Sequence, residues 1–179
     1  MTLRILFRCG LVAAALSVTA AVWAAEGATV ESIDNYVRLT DTVSTGGQPT
    51  PAQIFALAQA RFRAVLNLRE EAEFDGKAEA EAAHEAGLAY LRIPVRGADP
   101  RDRDADEFLR VTDDRANYPI FIHCASGNRV GAFWLIRRVL RDGIAFEAAQ
   151  AEAQRVGLRS PTLLEFARAY VASHPASRK

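Results

Sequence analysis

A short run of apolar residues, Pro119 to Ile122, stops at a polar turn of small residues that leads into a helical pattern. A strand with no polar alternation is typical of the centre of a parallel sheet, where helices cover both faces. Two further apolar runs, Ala64–Leu68 and Leu88–Val95, are also separated by helical patterns. Strands that alternate with helices predict an α/β fold with a mainly parallel central sheet flanked by helices.

Capping and turn residues divide the rest of the chain into shorter elements. Thr50 and Pro51 fit the N-cap and first position of a helix, Gly87 fits a helix end, and Asp104 fits another N-cap. The other predicted elements are an edge strand at 36–39, a turn at 44–49, and helices at 51–61, 75–86, 104–117, 130–141, 146–156 and 161–171.

Length and charge restrict the class of protein. The chain has 179 residues, half of them hydrophobic, which is enough for one full core. Lys and Arg together number 22, as do Asp and Glu, so the composition gives no indication of a basic surface for nucleic acid. We expect one domain over residues 25–179 that takes a small anionic substrate and binds no nucleic acid.

The first 24 residues have the layout of a secretory signal peptide. Arg4 and Arg8 precede an apolar run from Leu11 to Trp23, and small residues follow it. The alternative is an uncleaved membrane anchor, but the run is short of the roughly 20 residues that a spanning helix needs. We therefore expect cleavage before Ala25, a periplasmic or secreted location, and no stable membrane insertion of the mature chain.

Polar side chains follow three of the predicted strands. Asn67 lies at the end of the first of these strands with Arg69 just after it, Arg96 follows the second, and His123 with Cys124 follow the third. Ligands of open α/β sheets bind outside the carboxyl ends of the strands. The sequence therefore predicts a crevice in which two cations and a thiol meet, suited to an anionic ligand.

The segment from His123 to Arg129 has the residue types of an anion-binding loop. Successive backbone N–H groups in such a turn form a concave nest, and the following helix adds its positive dipole end. Gly127 permits a backbone angle that other residues resist. Cys124 at that helix N-terminus, near Arg129, should be largely thiolate and nucleophilic. The alternative is a buried, inert thiol.

Four motifs in this order resemble one bacterial phosphatase-like family. They are Gly46 to Pro49, Val65 to Arg69, Ile93 to Val95, and the loop His-Cys-x-x-Gly-x-Arg at 123–129. The chain is similar to the phosphatase domain called beta-lactamase-hydrolase-like, within the tyrosine and dual-specificity phosphatase superfamily.

The resemblance implies a role for each residue of the loop. Cys124 would be the nucleophile and Arg129 the oxyanion binder. His123 would tune the loop through hydrogen bonds; the alternative is a polar strand terminus. The residues expected to bind the anion are His123, Ala125, Ser126, Gly127, Asn128 and Arg69.

The loop departs from the tyrosine phosphatase pattern in two ways. Four residues separate Cys124 from Arg129 where tyrosine phosphatases have five, and Val130 stands where they usually have Ser or Thr. Rhodanese-type sulfurtransferases resemble this shorter loop, with a persulfide on the cysteine. A sulfurtransferase therefore remains an alternative, as does a non-catalytic anion-binding or redox-sensing module.

The general acid is the least defined residue of the predicted site. Asp99 lies nearest the end of its strand, on a turn, and is the best candidate to protonate a leaving oxygen. The alternative is that Asp99, Asp102 and Asp104 are turn and cap residues. Glu70, Glu71 and Glu73 are interpreted as a solvated surface run. No metal, nucleotide or flavin motif is present, so no cofactor is expected.

Overall fold

One five-stranded sheet organises the chain in a computed structural model, which is described here for residues 28–74 and 76–174. The strands are β1 (Val37–Thr40), β2 (Val43–Gly46), β3 (Ala64–Asn67), β4 (Ala89–Arg92) and β5 (Ile120–His123). Their order across the sheet is β1-β2-β5-β3-β4, and every neighbouring pair is parallel except β1 with β2. The predicted α/β class with a mainly parallel sheet is confirmed.

In the described part of the chain, six helices cover the two faces of this sheet. They are α1 (Pro51–Gln59), α2 (Lys77–Glu85), α3 (Asp102–Asp113), α4 (Asn128–Leu140), α5 (Phe146–Val156) and α6 (Pro161–Ser173). Short 3₁₀ turns lie at Val30–Ser32, Glu71–Glu73 and Arg115–Asn117. Among the described residues, no helix has the length and apolar character needed to cross a membrane. The predicted signal segment, residues 1–24, lies outside the described residues.

Alternate side chains of each central strand enter two separate cores. On β5, Ile120 and Ile122 join the core under α3 to α6, whereas Phe121 joins the core under α1 and α2. This is the period-two alternation of a strand with both faces covered. All four β5 residues are buried, which explains why the run contains no exposed polar position.

Two helix ends, the start of α1 and the end of α2, agree with the capping residues read from the sequence. The Thr50 hydroxyl accepts a hydrogen bond from the Gln53 amide at 3.3 Å, and Gln53 Oε1 accepts one from the Thr50 amide at 2.8 Å. Pro51 occupies the first turn of α1. Gly87 follows α2 with φ of 73°, a left-handed conformation that glycine adopts without strain.

The stretch predicted as a turn at 44–49 begins as strand β2, so that prediction was wrong for its first half. Ser44, Thr45 and Gly46 carry little apolar surface but are buried between β1 and β5. Ser44 Oγ shares a hydrogen bond of 3.0 Å with the Tyr36 hydroxyl, which satisfies the buried oxygen. Pairing with neighbouring strands, which local sequence does not reveal, decides this segment.

The predicted N-cap at Asp104 was also wrong. Helix α3 begins two residues earlier, at Asp102, and Arg101 takes the N-cap position. Asp104 is instead the third helical residue, and its carboxylate accepts a hydrogen bond from the Arg101 amide at 3.1 Å. The side chain still satisfies a free N–H group at the helix start, but from inside the first turn.

Candidate active site

Three parallel strands end at the same level of the sheet, and the candidate nucleophile follows the middle one. In β5, His123 lies beside Gly46 of β2 and Asn67 of β3. Cys124 therefore leaves the sheet between the Gly46–Pro49 segment and the segment after β3. This explains why three motifs that are distant in sequence meet around one loop.

The loop after Cys124 turns sharply into α4. Gly127 has φ of 84°, and α4 begins at the next residue, Asn128. A Cβ atom on Gly127 would lie 2.2 Å from the Val156 carbonyl oxygen, so backbone conformation and space both require glycine. The Cys124 side chain is recessed, with 1% of the residue exposed.

The carbonyl groups of the loop are bonded to the protein rather than to the cleft. Ala125 O accepts a hydrogen bond from the Gln48 amide at 3.3 Å, and Ser126 O accepts one from Asn35 Nδ2 at 3.3 Å. In the described part of the chain, the amides of Ala125 and Ser126 have no acceptor. Together with the first N–H groups of α4, these are the donors from which the sequence predicts a cradle for an anion, and that binding stays a prediction.

Arg129 lies in the first turn of α4 with its guanidinium already fixed. Nη1 and Nη2 donate to the two carboxylate oxygens of Glu73, the second at 2.9 Å, and Nη1 also donates to Val95 O at 3.0 Å. A guanidinium has five N–H groups. One N–H on Nε and one on Nη2 donate to no oxygen in the described part of the chain, and they lie along one edge, a fork of the kind that binds two oxygens of an anion. Arg129 also forms a side-chain hydrogen bond with Cys124.

The charges around Arg129 alter two pKa values. Burial by itself would lower the pKa of Arg129, but its hydrogen bonds and charge interactions with Glu73 and Cys124 raise it above the ordinary value. The Arg129 hydrogen bonds lower the pKa of the Glu73 carboxyl, although burial acts in the opposite direction. The pair is therefore ionised on both sides at neutral pH.

A buried carboxylate behind the loop joins three of the motifs. Glu79 of α2 is 2% exposed, and its Oε1 lies 2.6 Å from Nε2 of the fully buried His123. Its Oε2 accepts hydrogen bonds from Gln48 Nε2 at 2.8 Å and Asn67 Nδ2 at 3.3 Å. His123 Nδ1 lies 3.3 Å from Cys124 O. His123 thus links the loop to Glu79 of α2, and its predicted role in tuning the loop stays a prediction.

The two predicted cations at the strand ends do not line the cleft beside Cys124. Arg69 donates from Nη1 to Gln48 Oε1 at 3.0 Å and from Nη2 to Glu73 O at 2.9 Å. Arg96 is largely exposed and pairs with Glu70 at 3.4 Å. Arg69 thus supports the residues around the loop, and its direct contact with an anion stays a prediction.

A cleft of about 500 Å³ opens above the Cys124 loop. Its walls come from the loop, the 3₁₀ turn after β3, the segment after β4 and the start of α6. The lining residues are Glu70, Glu73, Gly97, Ala98, Cys124, Ser126, Asn128, Arg129, Ser160, Thr162 and Leu163. Cys124 and Arg129, predicted as nucleophile and anion binder, are thus brought together.

Asp99 lies next to this cleft but does not line it. Gly97 and Ala98 reach the wall, whereas Asp99 faces a neighbouring pocket that shares Glu70 with the cleft. The Asp99 carboxylate pairs with Arg101 at 3.5 Å and is 62% exposed. Its role as general acid stays a prediction.

Asn128 performs a structural task in addition to lining the cleft. Its Oδ1 accepts hydrogen bonds from the amides of Arg159 at 2.9 Å and Ser160 at 3.1 Å. The start of α4 is thereby tied to the start of α6. The Asn128 side-chain oxygen is committed to this contact, so its contribution to anion binding would come from its backbone N–H.

Sequence reasoning missed the carboxylates that hold the loop. Glu73 was taken as part of a surface run, and charged residues just after a strand are usually solvated. Glu79 gave a signal that could have been found, because it shares a helical face with Ala82 and Ala83, both buried. Among residues 28–74 and 76–174, no cluster of His, Cys, Asp or Glu is suited to a metal ion.

Fold and site together define an α/β protein with a recessed cysteine at the turn from a central strand into a helix. A family model described as "DSP-PTPase phosphatase fused to NAD+ Kinase" matches residues 20–161, and the chain belongs to this family. The predicted family is confirmed.

Known relatives and solved structures agree with this assignment. The chain is 29% identical over 108 residues to the beta-lactamase hydrolase-like protein of Xylella fastidiosa. The match covers 58% of this chain but a quarter, 25%, of that relative. A putative phosphatase (DUF442) from Shewanella putrefaciens superposes with a TM-score of 0.70 at 20% identity, over 81% of this chain and 96% of that one.

A second solved structure comes from yeast. The core catalytic domain of the PP-IP phosphatase SIW14 from S. cerevisiae superposes with a TM-score of 0.67 at 17% identity, over 76% of this chain and 85% of that one. At such identities the two structural matches establish the fold.

Proposed function

We propose that this chain is a cysteine-dependent phosphatase that hydrolyses small phosphate monoesters through a cysteinyl-phosphate intermediate. One observation carries the proposal: the recessed Cys124 and Arg129, whose guanidinium keeps one edge of N–H donors, line the same cleft at the N-terminus of α4. Membership of a phosphatase family supports the same chemistry. The size of the cleft suits a small substrate.

The proposed reaction has two displacement steps at phosphorus. The Cys124 thiolate attacks, an S–P bond forms, and the bond from phosphorus to the ester oxygen breaks. The cradle amides and Arg129 bind the three phosphoryl oxygens and stabilise the charge that spreads over them. A water molecule then attacks phosphorus, the S–P bond breaks, and the products are inorganic phosphate and the regenerated thiolate.

The leaving oxygen needs a proton in the first step, and we propose Asp99 as its donor. Gly97 and Ala98 line the cleft, and Asp99 is the next residue of the same segment. Asp99→Asn should slow the hydrolysis of alkyl phosphates far more than that of aryl phosphates with acidic phenols. The alkoxide of an alkyl phosphate is a poor leaving group and depends on protonation. Equal effects on both substrates would exclude Asp99 as the acid.

The first experiment compares the reduced protein with Cys124→Ser. Each is given a generic aryl phosphate and, separately, thiosulfate with a thiol acceptor, and intact mass is recorded after each reaction. We expect phosphate release that is lost in Cys124→Ser, and a phosphoryl adduct trapped on Cys124 at low pH. A gain of one sulfur on Cys124 without phosphate release would reject the proposal in favour of sulfur transfer.

A further inference from the structure

Two buried titratable side chains behind the Cys124 loop take no part in the proposed reaction. Glu79 of α2 is 2% exposed, His123 is fully buried, and Glu79 Oε1 lies 2.6 Å from His123 Nε2. Neither residue lines the Cys124 cleft. Because a substrate in the cleft does not reach them, any effect they have on the reaction passes through the residues that they hold.

The hydrogen bonds around Glu79 fix the orientation of two side-chain amides. Gln48 Oε1 accepts a hydrogen bond from Arg69 Nη1 at 3.0 Å, and Asn67 Oδ1 accepts one from the Arg69 amide at 2.7 Å. Guanidinium and backbone N–H groups only donate, so these two acceptors are the amide oxygens. The NH₂ groups of Gln48 and Asn67 therefore face Glu79 Oε2 and donate to it. Since Oε2 accepts both hydrogen bonds, it is not the oxygen on which a proton would lie.

The same reasoning places the hydrogens of His123. Its Nδ1 lies 3.3 Å from Cys124 O, a carbonyl oxygen that only accepts, so Nδ1 carries a hydrogen. One further hydrogen lies between Nε2 and Glu79 Oε1, on either atom, and in both cases the pair carries no net charge. A neutral ring with its hydrogen on Nε2 alone would turn the Nδ1 lone pair toward Cys124 O, where the two would repel.

Glu79 reaches two successive carbonyl groups of the loop through one residue each. His123 connects it to Cys124 O, and Gln48, whose backbone amide donates to Ala125 O at 3.3 Å, connects it to the next carbonyl. In a planar trans peptide the C=O and the N–H point in opposite directions. Holding both carbonyls against the protein therefore turns the two N–H groups of the same peptides away from it, as binding of an anion in the cleft requires.

We propose that Glu79 is a positioning residue for the Cys124 loop. It keeps a hydrogen on His123 Nδ1 and holds Gln48, and so fixes the two peptide groups whose N–H groups are expected to face the anion. Its effect on the rate rests on the proposed phosphatase function, whereas its effect on His123 and on the loop does not.

Two substitutions separate the hydrogen bonds of Glu79 from its bulk. Glu79→Gln can keep every contact, because its NH₂ group would donate to His123 Nε2 and its oxygen would accept from Gln48 and Asn67. Glu79→Met has a similar length but offers only a weakly accepting sulfur. For an aryl phosphate we expect kcat/KM within about threefold of wild type in Glu79→Gln, and about 10- to 100-fold lower in Glu79→Met because the loop is displaced.

Thr112→Val is the control for loss of a buried hydrogen bond elsewhere. Thr112 is fully buried on α3, its hydroxyl donates to Phe108 O at 2.7 Å, and it does not line the cleft. Activities are compared at a temperature where circular dichroism shows each variant to be folded. Thr112→Val should retain the wild-type kcat/KM, and a loss equal to that in Glu79→Met would assign the effect to lowered stability and overturn the proposal.

The ¹⁵N NMR spectrum of the histidine rings tests the proposal without any substrate. The chain has three histidines, and His84→Gln and His174→Gln, both at exposed positions, assign the His123 signals by elimination. We expect a hydrogen on Nδ1 in wild type and in Glu79→Gln, and a mixture of the two neutral tautomers in Glu79→Met. A wild-type ring with its hydrogen on Nε2 alone would overturn the proposal.

The backbone amide signals of Ala125 and Ser126 report the position of the loop. They should shift in Glu79→Met and keep their wild-type positions in Glu79→Gln. If wild type hydrolyses no phosphate ester, the proposed function fails, and these signals with the His123 tautomer still decide the inference. If Glu79→Met does not fold, the wild-type tautomer and Glu79→Gln decide it. An unshifted loop in Glu79→Met, or a Glu79→Gln variant in which the loop moves or activity falls 10-fold or more, would overturn the role of Glu79.

Discussion

Arg129 combines two tasks that are seldom separable in one side chain. Its end-on N–H pair holds Glu73, and it also contacts Cys124, where we propose that the anion binds. A lysine could keep the charge but has no fork, so Arg129→Lys should lower kcat/KM for an aryl phosphate by about 10²–10³-fold. Arg137→Lys is the control, since Arg137 is equally buried on the same helix but pairs with Asp113.

Both variants should be compared by circular dichroism and by steady-state kinetics. The control should retain kcat/KM within a factor of about three, because Arg137 does not touch the cleft. A comparable loss of activity in both variants would show that packing of α4, and not the guanidinium fork, sets the rate.

Glu73 gives the site a measurable dependence on pH. Its pKa is lowered from 4.5, first by the hydrogen bonds from Arg129. A carboxyl whose pKa is lower in the folded state stabilises the fold above its unfolded value and loses that contribution as pH falls through the folded value. Glu73→Gln should therefore be less stable than wild type at pH 7, and the difference should shrink below about pH 4.5.

Urea denaturation from about pH 7 to pH 3.5 measures this difference in the free energy of unfolding. Glu71→Gln, from the same turn, should follow the wild-type curve at every pH. A difference between Glu73→Gln and wild type that does not change with pH would mean that the Glu73 charge is not what stabilises the contact.

At the scale of the element, the loop after Cys124 requires glycine at position 127 for two reasons, backbone conformation and lack of space. Gly127 has positive φ and lies against Val156 O, whereas Gly143 has positive φ, 67°, and open space around it. Gly143→Ala should cost about 1 kcal/mol of unfolding free energy from backbone strain alone. Gly127→Ala should cost at least about 1 kcal/mol more, because the contact with α5 must also open.

Thermal and urea denaturation of the two variants measure the loss in free energy of unfolding. The loss in Gly143→Ala reports backbone strain, and the additional loss in Gly127→Ala reports the steric contact with Val156 O. Activity should be lost in Gly127→Ala at temperatures where it is still folded, since the cradle amides would shift with the loop. Retention of full activity there would show that the cradle tolerates the displacement.

Elements were predictable where the sequence carries its own signal. The apolar β5 run, the Thr50–Pro51 helix start and the turn after Cys124 all follow from local composition. Strand β2 was not predictable, because Ser44 to Gly46 become a strand through pairing with β1 and β5. The N-cap predicted at Asp104 lies three positions earlier, at Arg101, because a carboxylate can serve a helix start from the cap or from the first turn.

The candidate site also contains some residues that the local sequence predicts and others that it does not. That Cys124 and Arg129 line one cleft could be predicted, because the loop that joins them is short and contiguous. Glu73 and Glu79 act across distances of 56 and 44 residues, and the sequence around each resembles that of a solvated charge. What a single sequence leaves open is which distant carboxylate reaches the loop, since tertiary packing decides it.

At the scale of the whole molecule, the two cores on opposite faces of the sheet both position residues at the carboxyl ends of its strands. The core under α1 and α2 holds Glu79 against His123, and the core under α3 to α6 holds α4 and therefore Arg129. Each half of the site thus depends on a different face of the sheet. A cavity-forming substitution in either core should lower the free energy of unfolding and, by loosening the residues that the core supports, also lower activity.

Phe133 is the residue that tests this dependence on the larger core. It is fully buried on α4 and contacts Phe108 of α3 and Phe166 of α6, with ring centroids 5.6 Å and 5.8 Å apart. Phe133→Ala should lower the free energy of unfolding by about 3–5 kcal/mol, a large share of the about 5–15 kcal/mol of a typical domain. Phe55→Ala, at a position 37% exposed on α1, should cost less than about 1 kcal/mol.

Urea denaturation of both variants gives the two free energies, and kcat/KM at 10 °C, where the weaker variant is still folded, gives the state of the site. Because α4 carries Arg129 on its first turn and Phe133 one turn later, a cavity at Phe133 removes support directly behind the anion binder. We therefore expect Phe133→Ala to lose activity in addition to stability, while Phe55→Ala loses neither. If the folded fraction of Phe133→Ala retains wild-type kcat/KM, the hydrogen bonds of Arg129 to Glu73 and Val95 suffice to hold the site without the core behind it.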